Sequence, residues 1–379
     1  MKRYIEIMRT NYLVAIWILI TLASCSTDME LSPVNPDKEQ GTGTVTLTFA
    51  AQNGVNTRTT LTGPDNLQHV KQVHLYIFQG NDDNAIYLKK KTDIQWEDCT
   101  LGAHTKQTSY TVMLKPGDYR FLAVGLDEAS ATTYTIDEAL TEGSTTFAEA
   151  KATLATGKTT KDIALSELFA GWNTTSVKEN ENGAVTINLY RRVAGILGYF
   201  QNTPDNVKYI QVLLYEDQNT EIPLRKPSND NVAQDTDFGT RKTGKTNDRI
   251  LLDIDLIKDL HFIGDGSGTS GFYYSKSAYV LPKQAPTDAA VTHTLTVRTL
   301  TADHTTIVDT YHVVIKSSID GSTSGGISVT EPRRFPLYAN QLYSIGTKEA
   351  PVDLEENNEI TITVNNQWDH IYDIGLSDK

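Results

Sequence analysis

The chain has 379 residues, with 34 Lys+Arg against 47 Asp+Glu, and a formal net charge of −13. At 39% hydrophobic and 21% charged it has the makeup of globular material in two or three domains, neither disordered nor fibrous. The acidic balance argues against nucleic acid as a partner, and two cysteines, Cys25 and Cys99, supply neither a cysteine-based zinc site nor a disulfide scaffold.

Lys2, Arg3 and Arg9 precede a short apolar run over residues 12–20, followed by Leu22-Ala23-Ser24-Cys25. A basic start, a short apolar stretch and small residues before a cut are the anatomy of an export signal, and the run is too short for a comfortable transmembrane helix. Leu-Ala-Ser-Cys resembles the bacterial lipobox, which predicts cleavage between Ser24 and Cys25 and lipid on the Cys25 thiol. An ordinary signal peptide with an incidental cysteine is the alternative. Acyl chains hold a protein on a membrane without spanning it. Ser26, rather than Asp, follows the cysteine and permits export to the outer membrane. Residues 1–24 are therefore expected to be a lipoprotein signal peptide. Residues 25–43, rich in Ser, Pro, Asp, Glu and Gly, are expected to be a flexible tether. Cys99 then has no partner and reads as a small hydrophobe.

From residue 44 the pattern has period two. Val45, Leu47 and Phe49 alternate with threonines, which predicts a half-buried strand. Residues 73–78 are apolar on both faces, as in a central strand. Residues 110–114 and 119–124 flank Lys115-Pro116-Gly117-Asp118, whose Pro-Gly centre predicts a type II turn and a hairpin. Residues 147–154 and 161–169 read as helices, and 184–190 as a strand closing the first half. The apolar pattern of residues 70–78 recurs at 207–215, which points to a duplicated domain. Further strands are expected at 278–281, 293–300, 306–316, 341–346 and 360–364, separated by turn clusters. The whole reads as an all-β protein with minor helices: two β-sandwiches in tandem, over 44–190 and 191–379.

Motifs for catalysis are scarce. Gly266-Ser267-Gly268-Thr269-Ser270-Gly271 satisfies G-x-G-x-x-G, but strand-like Phe272-Tyr273-Tyr274 follows where a dinucleotide site needs a helix, so a loop is expected. The histidines share no metal-ligand spacing, and Asp82-Asp83-Asn84 reads as a turn rather than a calcium loop. No cofactor, no metal and no enzymatic activity are expected. A hydrolase on a β-sandwich would need a carboxylate or histidine cluster absent from the linear sequence.

The pattern that suggests a mechanism lies after the first strand. A polar Gly/Asn segment leads to Arg58-Thr59, the kind of site a trypsin-like protease reaches. A cut there would remove the lipid anchor together with one strand, leaving an apolar groove and unpaired backbone groups that invite a strand from another molecule. At the other end Ile360, Ile362 and Val364 repeat the alternation. A second strand-like segment follows, carrying Trp368, Ile371 and Ile374. Either segment could be the donor, with the first equally able to complete its own sandwich.

These features lie beside Tyr110-Thr-Val-Met-Leu-Lys-Pro-Gly-Asp-Tyr-Arg-Phe, Arg192-Val-Ala-Gly, Tyr279-Val-Leu-Pro and Leu337-Tyr-Ala-Asn-Gln-Leu-Tyr343. Together they resemble the fimbrillins of Bacteroidales, the type V pilins, over most of the chain after Cys25. The resemblance implies two transthyretin-like sandwiches, export as an outer-membrane lipoprotein, and a homopolymer with accessory fimbrial subunits as partners. It also implies Arg-specific cleavage at Arg58, which frees the strand carrying Val45, Leu47 and Phe49, and a C-terminal strand passed to the next subunit. The expected role is the stalk pilin of a surface fimbria. The alternatives are a lipid-retained anchor, a tip adhesin recognising a host or bacterial surface ligand, or a surface glycan-binding lipoprotein.

Overall fold

A computed structural model describes residues 41–52, 70–95, 105–136, 140–225, 238–264, 270–318, 332–348, 350–355 and 359–365. These described residues form one compact unit. The structure is all-β.

In the first half, β1 (Gly43–Gln52), β2 (Gln72–Gln79), β3 (Ile86–Gln95), β4 (Thr105–Leu114) and β5 (Gly117–Leu126) are followed by a single-turn helix α1 (Ser130–Thr133). Next come β6 (Tyr134–Thr135), β7 (Lys151–Leu154), a second short helix α2 (Thr160–Ile163), β8 (Leu168–Val177) and β9 (Asn182–Arg191). Pairing runs β3-β2-β5-β8-β9-β1-β4. β8 and β9 pair only at Phe169 with Arg191 and Ala170 with Tyr190. The path therefore folds there into two layers, β3-β2-β5-β8 over β9-β1-β4. Val73, Leu75, Ile77 and Phe121 of one layer meet Val45, Leu47, Phe49 and Ile187 of the other in a single apolar cluster. Alternation along each strand dictates this arrangement, since period two sends every second side chain to the same face.

The second half comprises β10 (Ala194–Gln201), β11 (Tyr209–Leu214), β12 (Glu221–Pro223), β13 (Ile250–Asp255), β14 (Leu260–Gly264) and β15 (Ser270–Val280). It continues with β16 (Leu295–Leu300), β17 (Ile307–Ser318), β18 (Leu342–Ile345), β19 (Val352–Asp353) and β20 (Glu359–Asn365). The order is β13-β11-β16-β17-β20-β18-β10-β15-β14, with β19 beside β10, while β12, β7 and β6 form a small separate sheet. The match between residues 70–78 and 207–215 has a structural counterpart. β2 and β11 each lie one strand in from a sheet edge, between two antiparallel neighbours. Both faces of β2 are apolar because Tyr76 and Phe78 point away from the sandwich core, into a cluster shared with Leu197, Tyr199, Tyr279 and Leu281 of the second half.

Two local expectations fail. Residues 110–114 and 119–124 do not form a hairpin: β4 pairs with β1, and both edges of β5 are taken by β2 and β8. Lys115-Pro116-Gly117-Asp118 instead carries the chain from one layer to the other. The turn is held by the Tyr119 hydroxyl, which donates to the Lys115 carbonyl at 2.9 Å. Residues 147–154 and 161–169 are not helices beyond one turn. Capping boxes at Thr146/Glu149 and Thr159/Asp162 start a turn each. The chain then becomes β7, paired with β6 and β12, and β8, because sheet pairing offers more than a helix this short can.

Candidate functional site

The strand implicated by the sequence, β1, is the middle strand of its three-stranded layer. It pairs antiparallel with β4 over ten positions, from Gly43 with Leu114 to Gln52 with Thr105. On its other side it pairs parallel with β9, from Thr44 with Asn182 to Ala51 with Leu189. Its inward residues are sealed: Val45 is 1% exposed, and Leu47 and Phe49 are 0% exposed. Its outward threonines meet hydroxyls of β4, Thr46 with Thr111 at 3.3 Å and Thr48 with Ser109 at 3.4 Å.

The start of β1 is pinned by the β8–β9 turn. Gly41 N–H donates to the Glu179 carboxylate at 3.0 Å, and Thr44 N–H donates to the Glu181 carbonyl at 2.9 Å. Gly43 has to be glycine, because a Cβ there would stand 2.2 Å from the Lys178 carbonyl oxygen. The sequence pattern revealed β1 itself but not this staple, which depends on a turn more than a hundred residues away.

Of the proposed C-terminal donor residues, Ile360 and Ile362 lie in β20, between β17 (parallel) and β18 (antiparallel), and both are buried in the core of their own sheet. Val364 is on the same strand, opposite Tyr343. Trp368, Ile371 and Ile374, like Ser24, Cys25, Arg58, Thr59 and Cys99, lie outside the described residues. The structure thus brings Val45, Leu47 and Phe49 together in one slot and places Ile360 and Ile362 in a different sheet.

Between the halves lies a buried polar network that the sequence did not announce. Arg191 and Arg192, at the boundary expected between the two sandwiches, are fully buried. Arg191 Nε donates to Glu167 at 2.6 Å with both side chains sealed from solvent, and its guanidinium lies over the Phe169 ring. Arg192 donates to the Pro223 carbonyl at 2.8 Å. Asp127 accepts from Glu167 N–H at 2.9 Å, and burial holds its carboxyl above the ordinary carboxylate range. Burial likewise raises the Tyr134 phenol.

The last two residues of the G-x-G-x-x-G segment, Ser270 and Gly271, open β15 and pair with Gly264 and Ile263 of β14, so a strand follows it rather than a helix. Asp82 and Asp83 serve a turn: Asp82 accepts from Asn84 N–H, and Asp83 pairs with Arg120 at 2.6 Å. Among the described residues no group of three or more His, Cys, Asp or Glu could hold a metal ion.

A model of the fimbrillin-A associated anchor proteins Mfa1 and Mfa2 matches residues 35–228. Among solved structures, a putative adhesin from Bacteroides thetaiotaomicron is 12% identical, with 89% of this chain and 98% of that chain covered at a TM-score of 0.47. The fimbrial anchor protein Mfa2 from Porphyromonas gingivalis is also 12% identical, covering 87% of this chain and 100% of that one at a TM-score of 0.39. The tip fimbrial protein Mfa3 from the same organism is 12% identical, covering 85% and 99% at 0.39. No curated protein matches the sequence. The family match takes in β1 through β12 and more than half of the chain, and this chain belongs to the fimbrillin-A associated anchor family of fimbrial proteins.

Proposed function

We propose that the chain is the membrane-held base subunit of a surface fimbria, tethered to the outer membrane by lipid on Cys25 and joined to the other subunits through strand exchange. The observation that carries this reading is the placement of β1. The strand continues directly from the tether and is locked between β4 and β9. A pull on the lipid is then resisted by two ladders of main-chain hydrogen bonds and a sealed apolar face. The family description, which names anchor proteins, favours the same role. The C-terminal donor would be the segment carrying Trp368, Ile371 and Ile374, since β20 is already used by its own sheet.

A stalk pilin released by an Arg-specific protease is the second reading, favoured by one feature of the same slot. A cut after Arg58 takes away a whole strand whose inward side chains are all apolar, and so opens a groove shaped for a strand. The N-terminal residue of the surface form separates the two. A lipid-blocked Cys25 supports the base subunit. A start at Thr59 overturns it in favour of the stalk, whose Arg58→Ala variant would then form no denaturant-resistant ladders.

A further inference from the structure

We propose that Lys283 and Asn219 become joined by an intramolecular amide bond, formed without any cofactor inside the second half of the molecule. The two residues lie on segments far apart in sequence, Asn219 between β11 and β12 and Lys283 just beyond β15. Both side chains are 0% exposed, and Glu216 beside them is 4% exposed.

Lys283 Nζ donates to Asn219 Oδ1 at 3.3 Å, which puts the amide carbon no more than about 4.5 Å from it, so a shift of roughly 1 Å reaches the ~3–3.5 Å of a near-attack arrangement. The Glu216 carboxylate is 3.8 Å from the same nitrogen and is held in place by Arg241, whose Nε donates to it at 2.9 Å. The amine also donates to two main-chain carbonyls, Asp217 at 2.9 Å and Lys242 at 2.5 Å. A neutral amine keeps two N–H bonds and one lone pair. With the hydrogens taken by those two carbonyls, the lone pair is left for the Asn219 amide.

The target amide is fixed at both ends. Asn219 Nδ2 donates to the Pro282 carbonyl at 2.8 Å, while Lys242 N–H donates to Oδ1 at 3.2 Å, where it would stabilise an oxyanion. Burial brings the Lys283 ammonium down to about 8, which raises the share of the nucleophilic form.

The step balances as a transamidation. Glu216 accepts a proton from the Lys283 ammonium, and Nζ attacks Asn219 Cγ. The Nζ–Cγ bond forms and the Cγ–Nδ2 bond breaks. The second amine proton and the one held by Glu216 leave with the departing nitrogen as ammonium. Nothing is oxidised or reduced. The product ties the segment after β11 to the segment just beyond β15, a covalent brace in a subunit that, on the proposed function, carries tension from the membrane.

Peptide mapping of the intact, purified full-length chain tests this. After denaturing digestion, a branched peptide containing both Asn219 and Lys283 is expected, about 17 Da lighter than its two arms together, from the loss of one ammonia. Fragmentation must place the link between these two residues. The branched peptide should vanish in Lys283→Arg and fall several-fold in yield at a fixed time in Glu216→Gln. Recovery of both residues solely in linear peptides of full mass overturns the proposal. So does a 17 Da loss that maps to a succinimide within the Asn219 peptide. Neither outcome depends on a variant folding, because the wild-type chain alone decides it.

Discussion

Leu47→Ala should be among the more damaging single substitutions in the first half. The side chain is fully buried, and its backbone is paired with Tyr110 on β4 and Val185 on β9. Losing three carbon groups at about 0.8 kcal/mol each removes roughly 2.4 kcal/mol of transfer free energy. Because both flanking strands hold the backbone in place, the space left behind cannot collapse, which raises the expected loss to about 3–4 kcal/mol. Thr46→Ala, one residue away on the outward face, removes a single exposed hydroxyl contact and should stay within about 0.5 kcal/mol. Urea denaturation of the two variants measures the difference as a shift in midpoint at unchanged slope. Hydrogen exchange at the β4 and β9 amides should show where the loss falls. A Leu47→Ala loss below about 1 kcal/mol, or one equal to that of Thr46→Ala, would refute the view that β1 is integral to the core. Extended to Val45 and Phe49 at about 1.5–3 kcal/mol each, the same reasoning gives β1 roughly 6–10 kcal/mol, a large share of what a whole domain has. The first half therefore should not persist after losing β1 unless another strand takes its place.

Three further outcomes are expected. Gly43→Ala forces a methyl against the Lys178 carbonyl and should cost about 1–3 kcal/mol, read as a lower thermal midpoint, whereas Gly183→Ala, whose Cβ would meet only ordinary contacts, should be far milder. Glu167→Ala strands the buried Arg191 guanidinium and should destabilise by about 3–5 kcal/mol in chemical denaturation. Where Asn219→Ala keeps Lys283 a free amine, its folded pKa of about 8 lies below the ordinary 10.5. The unfolded chain then holds a proton that the folded chain has released, so stability should rise from about pH 8 to about pH 10.5, and Lys283→Met in the same background should abolish that rise.

Alternation made β1 legible in the sequence because its chemistry is local: three apolar residues in, three threonines out. The pairing of β2 and β11 with corresponding neighbours was likewise foreshadowed by one repeated apolar pattern. The turn at 115–118 was misread for a physical reason. Pro-Gly fixes the local bend, but whether the flanking strands pair with each other or enter different layers depends on partners far along the chain. Here β1 claims β4, while β2 and β8 claim β5. The supposed helices failed in the same way. Thr146 and Thr159 carry real capping signals, yet Leu165 after the second turn is 72% exposed, so no continuous apolar face exists to hold a helix against the core. Arg191 and Arg192 look like surface charge in a linear reading. Only the three-dimensional closeness of Glu167 to Arg191 and of the Pro223 carbonyl to Arg192 makes their burial affordable.

The relation between the halves bears on how a subunit of this kind could exchange strands in one direction. β10 is bracketed in the second half as β1 is in the first, by an antiparallel neighbour, β15, and a parallel one, β18. The two slots are nevertheless not equivalent. β10 is joined to folded chain at both ends and its residues from Ala194 to Phe200 are all buried, so no single cut can free it. β1 is the first strand among the described residues, and over residues 43–50 it alternates buried with half-buried residues. On the proposed mechanism a cut after Arg58 lets β1 leave the first half, and the segment carrying Trp368, Ile371 and Ile374 is the strand offered. One acceptor and one donor at different sites make a heterologous, head-to-tail contact, which propagates as a filament rather than closing as a two-fold dimer. On the same mechanism a subunit that keeps β1 would have its acceptor filled and could only donate, which would fix it at one end of the filament, and the proposed lipid on Cys25, ahead of β1 in the chain, would make that end the membrane.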